Sequence, residues 1–300
     1  MRVRLILPVL AATAALLLTG CVDNSAPAAE NGAGDTSSSA ATQKDATAAG
    51  LLPAGIAKAG VLRIGTDAQS APNEYKDADG KPVGWGIELA EGIAGKLGLT
   101  TEYKVAQFDS IIPSIVGGQL DMGMSSFTDT VEREKVVSFV NHYAAGIQWA
   151  SQADKDVDPN NACGLKVAVQ ANTVQDTEEI PAKSAACVAA GKAPIEQVRF
   201  DTQDAAVNAV VLGQADAWTA DSPVALYAIS QTKGKLIPAG QTFDLSPYGI
   251  ATAQNTGMAE AVQAALQSMV DDGSYTKILD AWGVADGGLG SITINAAGNS

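Results

Sequence analysis

The sequence predicts an α/β protein built as two related lobes, and three observations carry that expectation. The segment DSIIPSIVGGQLD, beginning at Asp109, returns as DAAVNAVVLGQAD from Asp204. Strand-like and helix-like stretches alternate along the chain, as sheets with crossover helices require. Hydrophobic residues make up 46% and charged residues 17%, enough for a core, yet no internal apolar run is long enough to span a bilayer.

The chain opens on an address. Arg2 and Arg4 precede the apolar stretch Leu5 to Leu18, which meets Leu18-Thr19-Gly20-Cys21. A basic start and a short apolar region mark a secretory signal peptide over residues 1–20. The residues before Cys21 resemble the bacterial lipobox, which makes Cys21 a lipidation site; the alternative is an ordinary signal peptide with an incidental cysteine. From Val22 to about Gly50 there is no aromatic residue and one large aliphatic, so residues 21–51 are expected to be the lipidated cysteine and a disordered linker. Export implies an oxidising compartment. Cys163 and Cys187 are therefore expected to bond, with a loop-closure contribution of about 3 kcal/mol; two buried free thiols are the alternative.

The folded part is expected from Leu52. Val61 to Gly65 reads as a strand ending at Thr66-Asp67, and Asp79-Gly80 as a turn. Ile87, Ala90, Ala94 and Leu97 recur at helical spacing and Gly98 follows as a stop. In the repeated segments Asp109 and Asp204 are expected N-caps. Ile112, Ile115 and Val116 form one apolar face, and Val207, Val210 and Val211 the other. Gly118-Gln119 and Gly213-Gln214 end these helices at matched offsets, before strands at Asp121 to Ser125 and Asp216 to Thr219. Leu165 to Gln170 and Gln197 to Phe200 read as further strands, and helices close the chain at about Gly257 to Val270 and Tyr275 to Trp282.

Composition removes several functions. A formal charge of −14 lacks the cationic footprint that nucleic acid needs. Three Cys and one His make no zinc cluster. Gly123-Met124-Ser125-Ser126-Phe127 lacks the second glycine of a nucleophile elbow, His142 has no partner nucleophile in the sequence, and no phosphate loop is present. No catalytic residue, cofactor or metal is expected.

Binding chemistry is better supported. Ser125-Ser126-Phe127-Thr128 follows a buried strand and precedes an expected helix with Glu132-Arg133-Glu134-Lys135. Strand-to-helix turns present N–H groups and hydroxyls at the carboxyl edge of a sheet, and Arg133 adds a planar fork for a carboxylate. Thr219-Ala220-Asp221-Ser222-Pro223 ends a strand at the corresponding place in the other repeat. A cation from one lobe and the Asp221 carboxylate from the other would receive a zwitterion. The plainer alternatives are an Arg133 on a solvated helix and an Asp221 that is only an N-cap.

These residues have a recognisable pattern. From about Val61 to Trp282 the chain resembles the extracytoplasmic solute-binding proteins of ABC importers, polar amino acid type, family 3. The carrying stretches are LRIGTDAQSAPNEYKDADGKPVGWGIELA, FDSIIPSIVGGQLDMGMSSFTDTVEREKVVSF, VAVQANT, GQADAWTADSPVAL and PYGIATA, in that order. The resemblance implies a two-lobed periplasmic-binding-protein-like fold, two mixed-sheet α/β lobes joined by a two-crossing hinge. Lobe 1 would span residues 52–145 and return at 248–300, lobe 2 residues 146–247. Crossings are expected near Gly146-Ile147 and Tyr248-Gly249-Ile250.

The resemblance also implies roles. Arg133 would pair with a ligand α-carboxylate, aided by Thr173. Ser126 and Thr128 would bond the ligand backbone and Asp221 would accept from its α-ammonium. Asp67 would face the side chain and Phe108 would form an apolar wall; Ser125 and Gln170 complete the set. The chain departs from the family pattern at Ser70 and Asn73, where aromatics are frequent, at Asn172, where Gly is usual, at Val174, where a hydroxyl is common, and at Gly86, where an acid is frequent. Ser70 weakens stacking on a flat side chain, Asn73 could add a polar contact, and Trp85, Trp149 and Trp218 could replace the wall or belong to the core. Asp67 favours glutamine, asparagine or a basic amino acid. The implied partners are that ligand and the permease and ATPase subunits. The implied state is a monomer outside the cytoplasm, anchored to the bacterial cell membrane through Cys21. A sensor module for a membrane kinase and a dehydratase using Asp67 or Glu88 are the alternatives.

Overall fold

The computed structural model describes residues 43–297. The expected signal peptide, Cys21 and most of the expected linker lie outside the described residues. The folded part starts earlier than Leu52. Helix α1 (Ala46–Gly50) is capped by Asp45, whose Oδ1 accepts from the N–H groups of Thr47 and Ala48 at 2.8 and 3.0 Å. Ala48 is fully buried in a core cluster with residues of the later helix Met258–Asp271. Small alanines let this short helix pack closely, so the lack of large aliphatics does not prevent its burial.

After α2 (Ala54–Ala59), strand β1 (Val61–Thr66) enters the main sheet. A hairpin-like annex follows, β2 (Gln69–Ser70), β3 (Glu74–Lys76) and β4 (Pro82–Val83), with the Asp79-Gly80 turn between its last two strands. Helix α3 (Trp85–Leu97) ends at Gly98 in the left-handed conformation, φ 73°. Then come β5 (Thr100–Val105), α4 (Phe108–Val116), β6 (Met122–Thr128), a single 3-10 turn at Arg133–Lys135 and the long β7 (Val137–Gln152). The second repeat supplies β8 (Lys166–Gln170), a π-helical turn at Gln175–Glu179, α5 (Ile180–Ala189), β9 (Glu196–Phe200), α6 (Gln203–Val211), β10 (Ala217–Asp221) and α7 (Ser222–Gln231). The chain returns through β11 (Leu236–Ala253) to α8 (Met258–Asp271), α9 (Ser274–Trp282) and β12 (Gly288–Ile294).

Among the described residues the main sheet has nine strands in the order β5-β1-β6-β11-β7-β10-β8-β9, with β12 also on β7. The outer pairs β1–β5, β1–β6, β8–β9 and β8–β10 are parallel, whereas β7 and β11 run antiparallel to each other. These two long strands serve both halves. β7 pairs with β11 on both sides of Gly146, with β12 only before it, and with β10 from Ile147 to Ser151. A Cβ on Gly146 would meet Thr242 Cγ2 at 2.4 Å, so close strand approach requires glycine there. Against β7, β11 shifts register between Ala239 and Phe243, between Phe243 and Ser246, and again between Tyr248 and Gly249, the last of these within the stretch where a crossing is expected. Tyr248 and Gly249 already pair with Thr128 and Phe127 of β6.

Four core clusters cover the faces of the two halves. One face of the first half packs Leu62, Ile93, Met122 and Leu266, and the other Ile111, Ile115, Phe127 and Phe139. The second half packs Trp149, Val167 and Ile180 on one face, and Trp218, Val210 and Ala225 on the other. The disulfide joins Cys163 to Cys187, and Cys187 is buried in the Trp149 cluster. Trp85, Trp149 and Trp218 are fully buried, so they belong to the core.

Several local expectations need correction. Thr202, in extended conformation, caps α6 by accepting from Ala205 N–H at 3.1 Å, and Asp204 lies inside the first turn. Gln107 stands at the N-cap of α4, so Asp109 is likewise first-turn. There a carboxylate is still favourable to the helix dipole. The buried face of α4 is Phe108, Ile111 and Ile115, while Val116 is exposed. Ser125 to Thr128 are the last residues of a strand, and Arg133 sits on one 3-10 turn instead of a longer helix.

Candidate functional site

The carboxyl ends of β1, β6, β8 and β10 converge between the two halves, where open α/β sheets place ligands. A narrow cavity there is lined by Ser70, Phe108, Ser125, Ser126, Thr128 and Arg133 from the first half and by Gln170, Thr173 and Asp221 from the second. The cation and the anion singled out in the sequence therefore face one space. Val174, Gln175, Gln203 and Val224 complete its wall. Asp67 and Asn73, expected at the ligand, are not in this lining but bond residues that are, Asp67 to Ser125 and Gln170 and Asn73 to Ser126.

The 3-10 turn aims Arg133 back across the ends of β6 and β8. Its Nη1 donates to the Thr128 carbonyl and its Nη2 to the Asn172 carbonyl, both at 2.8 Å. The guanidinium carbon lies 5.6 Å from the centroid of the Phe108 ring and 5.8 Å from that of Phe127. Those rings stack with centroids 4.7 Å apart. Phe108 is thus a platform for the cation as well as an apolar wall. Burial pulls the Arg133 pKa down from its ordinary value, and the Asp221 charge offsets part of that. Asn172, at φ 64°, accounts for the glycine usual at this position: its backbone is left-handed and turns the carbonyl toward Arg133.

Asp221 occupies the N-cap position of α7 but makes no side-chain cap bond. Its Oδ1 accepts from Gln175 Nε2 at 2.8 Å and its Oδ2 from the Tyr248 hydroxyl at 2.7 Å. Tyr248 comes from the returning strand β11, so this bond links the second half to the shared strands. Burial raises the Asp221 pKa, opposed by Tyr248, Gln175 and Arg133. Asp67 is buried too. Its Oδ2 accepts from Gln170 Nε2 at 3.1 Å across the halves, and its backbone N–H donates to Ser125 Oγ at 3.0 Å. Burial raises its pKa, with the Gln170 bond opposing. Thr173 Oγ1 donates to the Gln170 carbonyl at 2.8 Å and so fixes the turn after β8.

Sequence reading missed Glu74, Gln175 and Tyr248. Glu74 is fully buried, accepts from Ser126 Oγ at 2.8 Å through Oε2, and burial pushes its pKa up to about 8. A larger depression of about 630 Å³ adjoins the cavity, sharing Thr128, Val174 and Asp221. Asp129, Glu132, Glu178, Glu179 and Asp244 also line it, and among the described residues no Lys or Arg does. Among the described residues, the linings of the two spaces therefore carry more carboxylates than the one guanidinium of Arg133, with Lys183 acting on Glu179 from nearby. Among the described residues no group of His, Cys, Asp and Glu could hold a metal ion. His142 is buried in β7 with its pKa lowered to about 4 by burial.

Comparison with known proteins adds the following. The pattern of the bacterial extracellular solute-binding proteins, family 3, matches residues 62–285. The arginine-binding protein ArgT of Corynebacterium glutamicum is 38% identical over 247 residues, 82% of this chain and 81% of that protein. The histidine-binding periplasmic protein of Salmonella typhimurium is 29% identical over 231 residues, 72% and 85% of the two chains. Among solved structures, an ancestral arginine-binding protein bound to glutamine superposes with a TM-score of 0.68 at 34% identity, covering 75% of this chain and 98% of that one.

Proposed function

The chain belongs to the bacterial extracellular solute-binding proteins, family 3, and from that membership we propose that it captures an amino acid with a cationic side chain, arginine first, for delivery to an ABC importer. One observation carries the reading: Arg133 and Asp221 reach the same cavity from opposite halves of the molecule. They suit the two poles of an α-amino acid. The remaining charge is negative, from Asp67 behind the wall and from the adjoining acidic depression, and a ligand cation would also favour ionisation of Glu74. A ligand of net positive charge relieves that excess, and a second ligand carboxylate would add to it. The name of the ArgT relative points the same way. Glutamine, the ligand named for the ancestral structure, carries a neutral side chain that this wall also tolerates.

Capture needs no bond making. The halves hinge where β7 exchanges β12 for β10, around Gly146, and where the facing β11 is irregular, from Phe243 to Gly249. Closure desolvates the ligand and strengthens its contacts with Arg133 and Asp221. Asp67 and Glu88, the carboxylates a dehydratase would need, are tied elsewhere: Asp67 to Gln170, and Glu88 to the Trp282 indole at 3.1 Å.

A thermal-shift screen of the twenty amino acids tests the reading, since stabilisation follows occupancy by about 2.7 kcal/mol at a hundredfold excess over Kd. L-arginine is expected to give the largest shift and L-aspartate and L-glutamate none. Arg133→Ala should lower affinity by about 3–5 kcal/mol, because it leaves a carboxylate unpaired in a dry site. A screen with no response, or one led by an acidic amino acid, would sink the assignment. Anchoring through Cys21 belongs to the same reading and rests on the Leu-Thr-Gly-Cys motif. The intact mass of the exported protein checks it, with acyl groups on Cys21 expected and an unmodified cysteine contradicting it.

A further inference from the structure

Behind the cavity lies a hydrogen-bonded chain whose direction can be fixed by elimination. The Trp85 indole, which can only donate, gives its Nε1–H to Asn73 Oδ1 at 2.8 Å. The Asn73 amide is thereby oriented, and its Nδ2 donates to Ser126 Oγ at 2.9 Å. Ser126 cannot return a proton to that donor, so with Glu74 ionised its single hydroxyl hydrogen goes to Glu74 Oε2 at 2.8 Å. A hydroxyl has one donor and two acceptor positions, which leaves one lone pair of Ser126 Oγ for the cavity that Ser126 lines. Ser126 is held for this at φ 49°, a conformation unusual outside glycine.

Glu74 reaches Ser126 because residue 86 has no side chain. A Cβ on Gly86 would lie 2.2 Å from Glu74 Oε1, so the carboxylate occupies the space that an acid at position 86 would fill. Oε1 is buried and without a hydrogen-bond partner. The charges acting on the carboxyl are those of Asp67 at the end of β1 and Asp221 at the end of β10, both negative, and Tyr248 of β11 faces it as well. The facing element α3 presents the Trp85 indole and Gly86, neither of them charged.

We propose that Glu74 is a positioning residue for ligand capture: its carboxylate draws the Ser126 hydroxyl proton away from the cavity, so that Ser126 Oγ accepts from a ligand ammonium whose charge in turn favours ionised Glu74. This rests on the amino acid reading above. Its consequence is a proton balance. Unliganded protein near neutral pH holds Glu74 largely as the neutral acid, consistent with its raised pKa. Binding an ammonium releases that proton to solvent, and affinity climbs as pH rises toward the titration of Glu74.

The experiment is titration calorimetry with L-arginine between pH 6 and 8, in two buffers of different ionisation enthalpy, on the full chain and on Glu74→Gln. Wild-type protein should release a proton on binding and gain affinity several-fold across the range. Glu74→Gln should bind more weakly at pH 8 and lose both the slope and most of the proton release, whereas a purely structural defect would weaken binding equally at every pH and leave the proton count unchanged. Wild-type binding with no proton release overturns the inference without any variant, so a poorly folding Glu74→Gln does not shield it. A slope retained in Glu74→Gln overturns it as well and assigns the titration to Asp67 or Asp221. If wild-type protein takes up no amino acid, the functional reading itself falls.

Discussion

A guanidinium beside two stacked aromatic rings and against two backbone carbonyls is held without an ion pair in contact with it among the described residues. Arg133 illustrates what that arrangement demands. Phe108 and Phe127 limit its hydration, Thr128 and Asn172 take two of its donors, and Asp221 is the charge that compensates it. A lysine could offer a point charge but not a planar fork able to bond two carbonyls and still face a carboxylate. The residues that carry charge in the cavity were legible in the sequence because each sits in a short stretch with its neighbours, Arg133 after Ser126-Phe127-Thr128 and Asp221 before Ser222-Pro223. The residues that control those charges were not. Tyr248 lies 27 positions from Asp221, Gln175 lies 46 away, and Glu74 lies 52 from Ser126. Only the tertiary fold brings such partners together, and a glutamate in a hairpin reads as solvated until Gly86 is seen to make room for it.

At the scale of elements, the repeated segments were legible as strand, helix and strand, but not their boundaries. Aspartate, threonine and serine all serve as N-caps, and the choice depends on which residue is extended when the helix begins. Thr202 has φ −140° and ψ 154° and bonds Ala205 N–H, whereas Asp204 is already helical. Thr202→Ala should therefore cost about 1 kcal/mol in urea unfolding. Asp204→Ala should cost only a few tenths, the usual dipole contribution of a first-turn carboxylate. Equal losses at the two positions would return the cap to Asp204. The early helix α1 was hidden for a related reason. Its sequence is alanine-rich without a large aliphatic, and its burial comes from a small side chain lying close to α8, a property of the surface it meets and not of its own hydrophobicity.

For the whole molecule, the repeat announced two lobes, yet no local signal showed that β7 and β11 would make one sheet through both. That continuity buries ionisable groups near the junction and ties stability to pH. Burial raises Glu74 to about 8, Glu179 to about 7 and Asp129 to about 6, all above their ordinary carboxyl values. For each, the folded state keeps a proton that the unfolded chain has already released, so stability falls as pH rises from the unfolded value toward the folded one. His142, lowered to about 4, acts oppositely: below about 6.5 the unfolded chain takes up a proton that the fold refuses, and stability rises with pH through that window. The two trends compete between about pH 4.5 and 6.5. Above 6.5 His142 is neutral in both states, while Glu74 and Glu179 still titrate in the fold. Each contributes at most about 1.4 kcal/mol per pH unit. Unliganded protein should thus be less stable at pH 8.5 than at pH 6.5, by about 1–3 kcal/mol in urea unfolding. Saturating L-arginine should shrink that loss, because a bound cation favours the ionised carboxylates. A midpoint that stays level or climbs over this range would mean that these carboxyl groups are already ionised in the folded protein at pH 6.5, and the proton-linked account of the junction would have to be abandoned.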